Sequence, residues 1–344
     1  MVVDRDHVID VLRGLAIFTM VAANMAASVL APPHPFWFRL YGSFAAPLFI
    51  FISGMMIAIV AAKRAHGLKY YFARGVMVIL CGVFVDVFIW RIYPFMSVDV
   101  LYLIGLSLPF AYLFMRFKGL SAWAAVVLVF LAAPLLRNTL GYTAYPLEIR
   151  FMEGPANIVE NAAAVAKHWV IDGWFPVFPW IGFSLLGVIA ADLRGRSGNS
   201  FGKAGILFFG LAVLALGVII WRFFPAAHMV RKGYSELFYP ADTGYSVAAI
   251  GLIIVLFSAV DLKASLLAFK PLQALGESAL FMYIFHLLLI RYCISPTWHG
   301  QGIEAFWAIY VILSFVLVLI AYELKAVKVK WKNKPFVVQF LLGG

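Results

Sequence analysis

Apolar stretches of about twenty residues, separated by short breaks that carry lysine, arginine, glycine or proline, run almost from one end of the chain to the other. A helix needs about 20 apolar residues to cross the roughly 30 Å hydrocarbon core of a bilayer. Windows of about 19 residues mark ten such spans, at 11–31, 40–62, 73–93, 98–116, 121–137, 174–193, 202–221, 240–260, 272–293 and 303–324. Internal Gly and Pro in several of them are tolerated in packed membrane helices. The expected fold is an all-α polytopic membrane protein, a bundle of about ten transmembrane helices forming one domain over 1–344. No soluble domain and no internal repeat stands out.

One break is much longer than the rest. Residues 138–173 hold Tyr142, Tyr145, Glu148, Arg150, Glu153, Asn157, His168, Trp169 and Asp172, with a short helix expected near 156–170. Loops of this length are usually functional, so the segment reads as a folded lid, with a passive connector as the alternative. Residues 325–344 form a basic tail.

Composition sharpens the membrane assignment. The chain of 344 residues is 64% hydrophobic and 12% charged, about half the charged fraction of an ordinary soluble domain. Its net charge of +11 is scattered over short loops, which argues against nucleic acid as a partner; the surroundings are membrane lipids. Placing the N-terminus in the cytoplasm puts the larger share of the 27 lysines and arginines on the cytoplasmic side, as orientation by positive charge requires. Both termini are then cytoplasmic. Asp4, Asp6, Asp10 and Arg13 mark the first span as an uncleaved anchor rather than a signal peptide. Cys81 and Cys293 lie in apolar segments and suggest neither a disulfide framework nor a thiolate metal site.

Polar residues at membrane depth are costly and point to function. On the first span Asp10, Arg13, Ile17, Met20 and Asn24 recur at helical spacing on one face. That stripe either lines a cavity open to the cytoplasm or bonds helices together through an Asp–Arg clasp and an interhelical hydrogen bond. Asp86 in the third span and His286 in the ninth must face protein or water, and Glu277 stands at the start of the ninth. His34 follows the first span at its far surface, one turn before Trp37. Imidazole changes charge near neutral pH and suits proton transfer; an indole face suits a sugar's C–H surface, or else an interfacial aromatic belt. Asp99 opens the fourth span as a helix cap or as an orienting carboxylate. No spaced His/Asp/Glu cluster suggests a metal. Gly205, Gly210 and Gly217 permit close packing, within the chain or across a homodimer.

A series of motifs resembles the catalytic region of the heparan-alpha-glucosaminide N-acetyltransferase family, part of a wider group of transmembrane acyltransferases with bacterial members. They are DVLRG (Asp10 to Gly14), Asn24, HPFW (His34 to Trp37), PLFIFISG (Pro47 to Gly54), DVLYLIGL (Asp99 to Leu106), FPWIGFSLLG (Phe178 to Gly187) and LGESALFMYIFH (Leu275 to His286). The resemblance implies acetyl transfer from cytoplasmic acetyl-CoA to an amino sugar or glycan on the outer side of a bacterial inner membrane, without a metal. It makes His34 the catalytic base or acetyl carrier, with Asn24 and Asp99 beside it. Arg13, Asp10, Arg64, Arg74 and His286 would serve the coenzyme A channel; Trp37, Asp172 and Trp174 would bind the acceptor. The family's pattern has an aspartate a few residues before the proline that matches Pro47. Ser43 stands near that place here, so the role of that aspartate does not transfer. Two alternatives keep part of this reading: O-acetylation of a cell-envelope polymer, and transport of a glycan or lipid-linked precursor without chemistry.

Overall fold

The interruptions between apolar spans decide how the helices are joined. The computed structural model describes residues 6–64, 66–143, 162–198, 200–224, 235–263, 266–331 and 333–343. Helix α1 (His7–Val29) starts because the Asp6 carboxylate accepts from the backbone N–H groups of Val8 and Ile9 at 3.1 and 3.4 Å, satisfying donors that a helix start leaves open. Three prolines then turn the chain into the short α2 (Phe36–Gly42), which leads into α3 (Ala45–Lys63). Helix α4 (Leu68–Val85) ends in a π-helical turn over Asp86–Trp90. Asp99 caps α5 (Val100–Phe114) by accepting from Leu101 N–H at 3.0 Å. Then follow α6 (Gly119–Leu140), α7 (Ala162–Lys167), α8 (Val177–Arg196), α9 (Ala204–Phe223), α10 (Thr243–Leu262), α11 (Lys270–Glu277), α12 (Ala279–Leu289), α13 (Ile303–Lys330) and α14 (Phe336–Leu342).

Eight helices among the described residues are long and apolar enough to cross a membrane, or nine if one bent pair counts as a span. The protein is therefore an all-α polytopic membrane protein, and two of the ten expected spans take another form. The fourth is only 15 residues long, with Pro109 inside it, and at 1.5 Å per residue it rises about 22 Å. The ninth is broken: α11 and the helix of 279–294 meet at 84° around Ser278. The cause is packing. A Cβ on Gly14 would stand 1.7 Å from the Leu272 carbonyl oxygen, and one on Gly276 would stand 1.8 Å from that of Asp10. Backbone thus lies on backbone where α11 crosses α1, and a straight helix could not both make this crossing and climb beside α1.

Helix α1 is the centre of the bundle. Of its apolar window 72% is buried, against 11% for α9. Its polar stripe faces the broken helix: the Arg13 guanidinium donates to the Gly276 carbonyl at 3.2 Å, and Asn24 meets His286. Helix α9 packs on α10, where a Cβ on Gly217 would lie 2.1 Å from Ala248 N. Gly210 and Gly217 are thus used inside the chain.

The end of the bundle that holds the start of α1 is tied by a charge cluster. Arg194, 4% exposed, donates from Nε to Asp6 at 3.0 Å and from Nη2 to Asp261 at 3.0 Å. Asp261 also accepts from Phe201 N–H at 2.6 Å. The knot joins α1, α8, α10 and the lead into α9. Nearby, the buried Glu277 accepts from Lys325 Nζ at 2.8 Å, while Lys328 Nζ donates to the Glu277 carbonyl at 2.6 Å. The basic tail is in part this clamp and in part α14, whose Phe340 and Leu342 are buried.

The described part of the long break is the end of α6 with residues 141–143, then α7 and a π-helical turn over His168–Asp172. Tyr145, Glu148, Arg150, Glu153 and Asn157, with the first part of the helix expected near 156–170, lie outside the described residues. The described part is docked, not dangling. Trp174 and Phe175 N–H donate to the Ser97 and Val98 carbonyls at 3.2 and 2.9 Å.

Candidate functional site

Two polar groups occupy the half of the bundle nearer the exit of α1. In the first, Asn24 of α1 faces His286 of α12. His286 is fully buried, with Nδ1 at 2.9 Å from the Met282 carbonyl oxygen. A carbonyl only accepts, so Nδ1 carries the proton of the neutral ring. Nε2 is then the acceptor for the Asn24 Nδ2–H at 2.9 Å. This fixes the amide of Asn24, which keeps its second N–H and its carbonyl oxygen for another partner. One turn earlier on α12, Tyr283 packs edge-on to the His286 ring with centroids 5.6 Å apart. Its hydroxyl donates to the Asp99 carboxylate, 2.9 Å from each oxygen.

Asp99 belongs to a relay built on Asp86. Ser97 Oγ–H donates to Asp86 at 2.5 Å and accepts from Asp99 N–H at 3.0 Å. Tyr102 OH and Phe95 N–H donate to the same Asp86 carboxylate at 2.7 and 3.1 Å. Asp86 thus shapes the 91–99 loop that presents Asp99.

The second group is His34. Backbone bonds fasten its loop to the lead of α13, from Ala31 N–H to the Gln301 carbonyl at 2.8 Å and from Gln301 N–H to Val29 at 2.6 Å. His34 Nε2–H donates to the Leu30 carbonyl at 3.2 Å, which leaves Nδ1 as the basic nitrogen. The ring is half-buried and lies edge-on to Phe38. Its anchor, Leu30, is six residues beyond Asn24, about 9 Å of helical rise. Trp37, 55% exposed, stacks on Trp307 with centroids 5.9 Å apart and planes 11° from parallel.

Some of the residues singled out in the sequence come together and others do not. Asp10 and Arg13 pair at 3.0 Å, and Asn24 pairs with His286. No hydrogen bond joins His34 to Asn24 or to Asp99 among the described residues. Arg74 bonds Tyr70 OH at 3.3 Å and lies over the Phe340 ring; Arg64 is exposed. Trp174 meets Trp90 edge-on. Asp172, 2% exposed, turns inward: His168 Nδ1 and Lys167 Nζ lie 3.1 and 3.3 Å from its oxygens. Sequence reasoning left out Tyr283, although it sits on the His286 face one turn earlier. It placed Arg194 among the cytoplasmic cations available to the coenzyme A phosphates, whereas Arg194 is engaged by Asp6 and Asp261, both remote in the chain. Among the described residues no group of three or more His, Cys, Asp or Glu is arranged to hold a metal ion.

The Asp172 carboxyl is desolvated by burial, but the His168 ring and the Lys167 charge outweigh this and hold it below its usual range. A lowered folded value means that the stabilisation is complete above about pH 4, the unfolded range, and is lost as pH falls through the folded value. Asp172→Ala is therefore expected to speed amide exchange across 162–175 about 10-fold or more at pH 7. The gap from the native protein should narrow as pH falls from about 4 through the lowered folded value, after correction for intrinsic rates. A gap that stays constant down to the acid unfolding of the protein would contradict the ion-pair account.

Residues 5–219 match the family model described as heparan-alpha-glucosaminide N-acetyltransferase, catalytic. That stretch includes Asp10, Arg13, Asn24, His34 and Asp99 but ends before α12. No curated protein matches the chain.

Proposed function

With the match covering more than half of its length, the chain belongs to the heparan-alpha-glucosaminide N-acetyltransferase catalytic family and is a membrane acetyltransferase, and on that premise we propose that it carries an acetyl group from acetyl-CoA, presented at the start of α1, to an amino sugar or glycan at the exit of α1. In this reading both termini are cytoplasmic, the membrane is a bacterial inner membrane and the whole chain is one catalytic unit.

The observation that carries the reading is the hydrogen bond from His34 Nε2–H to Leu30, which directs the basic Nδ1 away from the helix end. In direct transfer, Nδ1 takes a proton from the acceptor amine as the new N–C bond forms. The C–S bond of the thioester breaks, and the departing thiolate recovers a proton to give CoA–SH. In a two-step variant Nδ1 attacks the thioester first, the acetyl-imidazole then passes its acetyl to the amine, and the proton balance is the same. Asn24, with its amide fixed by His286, offers its remaining N–H to the thioester carbonyl. Asp99 and Tyr283 hold the α5 start against α12 beside that path. Arg13, clasped to Asp10 and to the Gly276 carbonyl, places positive charge where α11 crosses α1 and suits the phosphates of coenzyme A. Trp37, backed by Trp307, and Trp174 offer aromatic faces to the acceptor; Asp172 acts by holding the lid.

The test uses protein reconstituted in vesicles, acetyl-CoA labelled in the acetyl group, and glucosamine or another amino sugar. Label is expected in the sugar, or in a hydrolysed acetate pool without the sugar. Neither label transfer nor acetyl-CoA hydrolysis with any amine or hydroxyl acceptor would overturn the reading. Transfer to hydroxyl acceptors alone would replace N-acetylation by O-acetylation.

A further inference from the structure

A groove of about 300 Å³ opens between α6, α8 and α10, away from Asn24 and His34. Its lining is almost wholly apolar along most of its length, from Trp123 and Val127 through Leu131 and Ala133 on α6 to Val247 and Ile250 on α10. Trp123, Val127 and Leu131 are exposed on a helix long and apolar enough to span a membrane. Hydrocarbon is the medium on that face. From Trp123 to Arg137 the groove follows α6 for fourteen residues, or about 21 Å of rise. An acyl chain in one leaflet has about half of the 30 Å core to cross, so the groove takes a chain at full length.

Polar groups collect only at one end, and in an order. Arg137 closes the mouth, 4% exposed, with Nη2 donating to the Ala241 carbonyl at 2.7 Å. Asp242 shares the mouth and accepts from Tyr245 N–H at 2.7 Å. One helical turn inward from Asp242, Ser246 lines the groove, 3% exposed, and its Oγ has no hydrogen-bond partner. A buried hydroxyl left unpaired is costly, and here its surroundings are otherwise apolar. Passing inward, the mouth thus presents a guanidinium beside a carboxylate, then an unmatched donor, then hydrocarbon. A phospholipid presents the matching series: phosphodiester, ester carbonyl, acyl chain. A guanidinium suits a phosphate through its planar N–H donors.

We propose that the groove between α6, α8 and α10 binds a bilayer phospholipid, with its phosphodiester at Arg137, an ester carbonyl accepting from Ser246 Oγ–H and one acyl chain lying along α6 toward Trp123. The site is separate from the acetyl-transfer residues, and its test does not depend on them. The full chain is purified in detergent, delipidated and titrated with dioleoylphosphatidylglycerol or with dioleoylglycerol, which lacks the phosphodiester. Bound lipid is counted by native mass spectrometry. One phospholipid per chain is expected, with dioleoylglycerol at least 10-fold weaker. Ala133→Phe, which fills the groove, should abolish binding, and Arg137→Gln should weaken the phospholipid at least 10-fold while leaving dioleoylglycerol unchanged. If Ala133→Phe does not fold, Ser246→Leu fills the same space. No retained phospholipid, equal affinity for both lipids, or a groove-filled variant that binds as well as the native chain would overturn the proposal. So would a lipid-linked glycan, recognised by its mass, that displaces the phospholipid from this groove.

Discussion

His34→Ala should lower acetyl transfer by about 10²- to 10⁴-fold, the usual weight of a positioned acid–base group, while the protein stays inserted and folded. The ring is half-buried, its hydrogen bond is to the Leu30 carbonyl, and its ring contact is with Phe38. Loss of these leaves a carbonyl at a helix end within reach of water, and the loop keeps both backbone bonds to Gln301. Coenzyme A affinity should be unchanged, because Arg13, the cation proposed to hold its phosphates, lies at the start of α1. The measurement is kcat for acetyl transfer beside an independent CoA titration. Turnover within about 3-fold of the native rate would remove His34 from the chemistry. The candidate would then be His286, whose Nε2 already accepts from Asn24. Incubation with labelled acetyl-CoA and no acceptor separates the two routes: label retained on His34 marks the acetyl-imidazole.

Arg194→Leu is expected to be the most damaging single change at the other end, at about 3–5 kcal/mol. The substitution conserves bulk but leaves the Asp261 carboxylate buried without its cation, and it frees Asp6 from α8. Four segments lose their common tie. Reversible unfolding of the detergent-solubilised protein reads the loss. The double variant Arg194→Leu with Asp261→Asn distinguishes the cause, since removing both charges recovers much of the stability if the unpaired charge is the damage. A double variant no better than the single one would instead assign the effect to lost packing of the Arg194 side chain, which also lies over Phe201.

Most of the helices were legible because membrane spans are written in residues close together in sequence. Apolar runs set their lengths, and Asp6, Asp99 and Asp242 cap three of them through bonds to residues two or three positions away. The polar face of α1 was legible for the same reason, since Asp10, Arg13 and Asn24 fall at helical spacing. What that face meets was not. The break at Ser278 follows from Gly276 lying against the backbone of Asp10, a contact that hydropathy does not encode. His286 resembled a lone buried histidine until α12 brought it to Asn24. Asp99 could be read as a cap, but not as the acceptor for Tyr283, because their pairing depends on how α5 and α12 dock. Trp37 was visible as an aromatic beside His34, whereas its stacking partner Trp307 lies on α13.

The central position of α1 has a consequence for how the protein is made. This helix leaves the ribosome well before its partners: Arg13 bonds to Gly276 across 263 positions and Asn24 to His286 across 262. At about 5–20 residues per second, translation takes roughly 13–50 s to supply those partners. Until then its Asp–Arg clasp and asparagine must wait in the bilayer or its translocation machinery without their permanent cover, so the core of the bundle closes only once α11 and α12 are delivered.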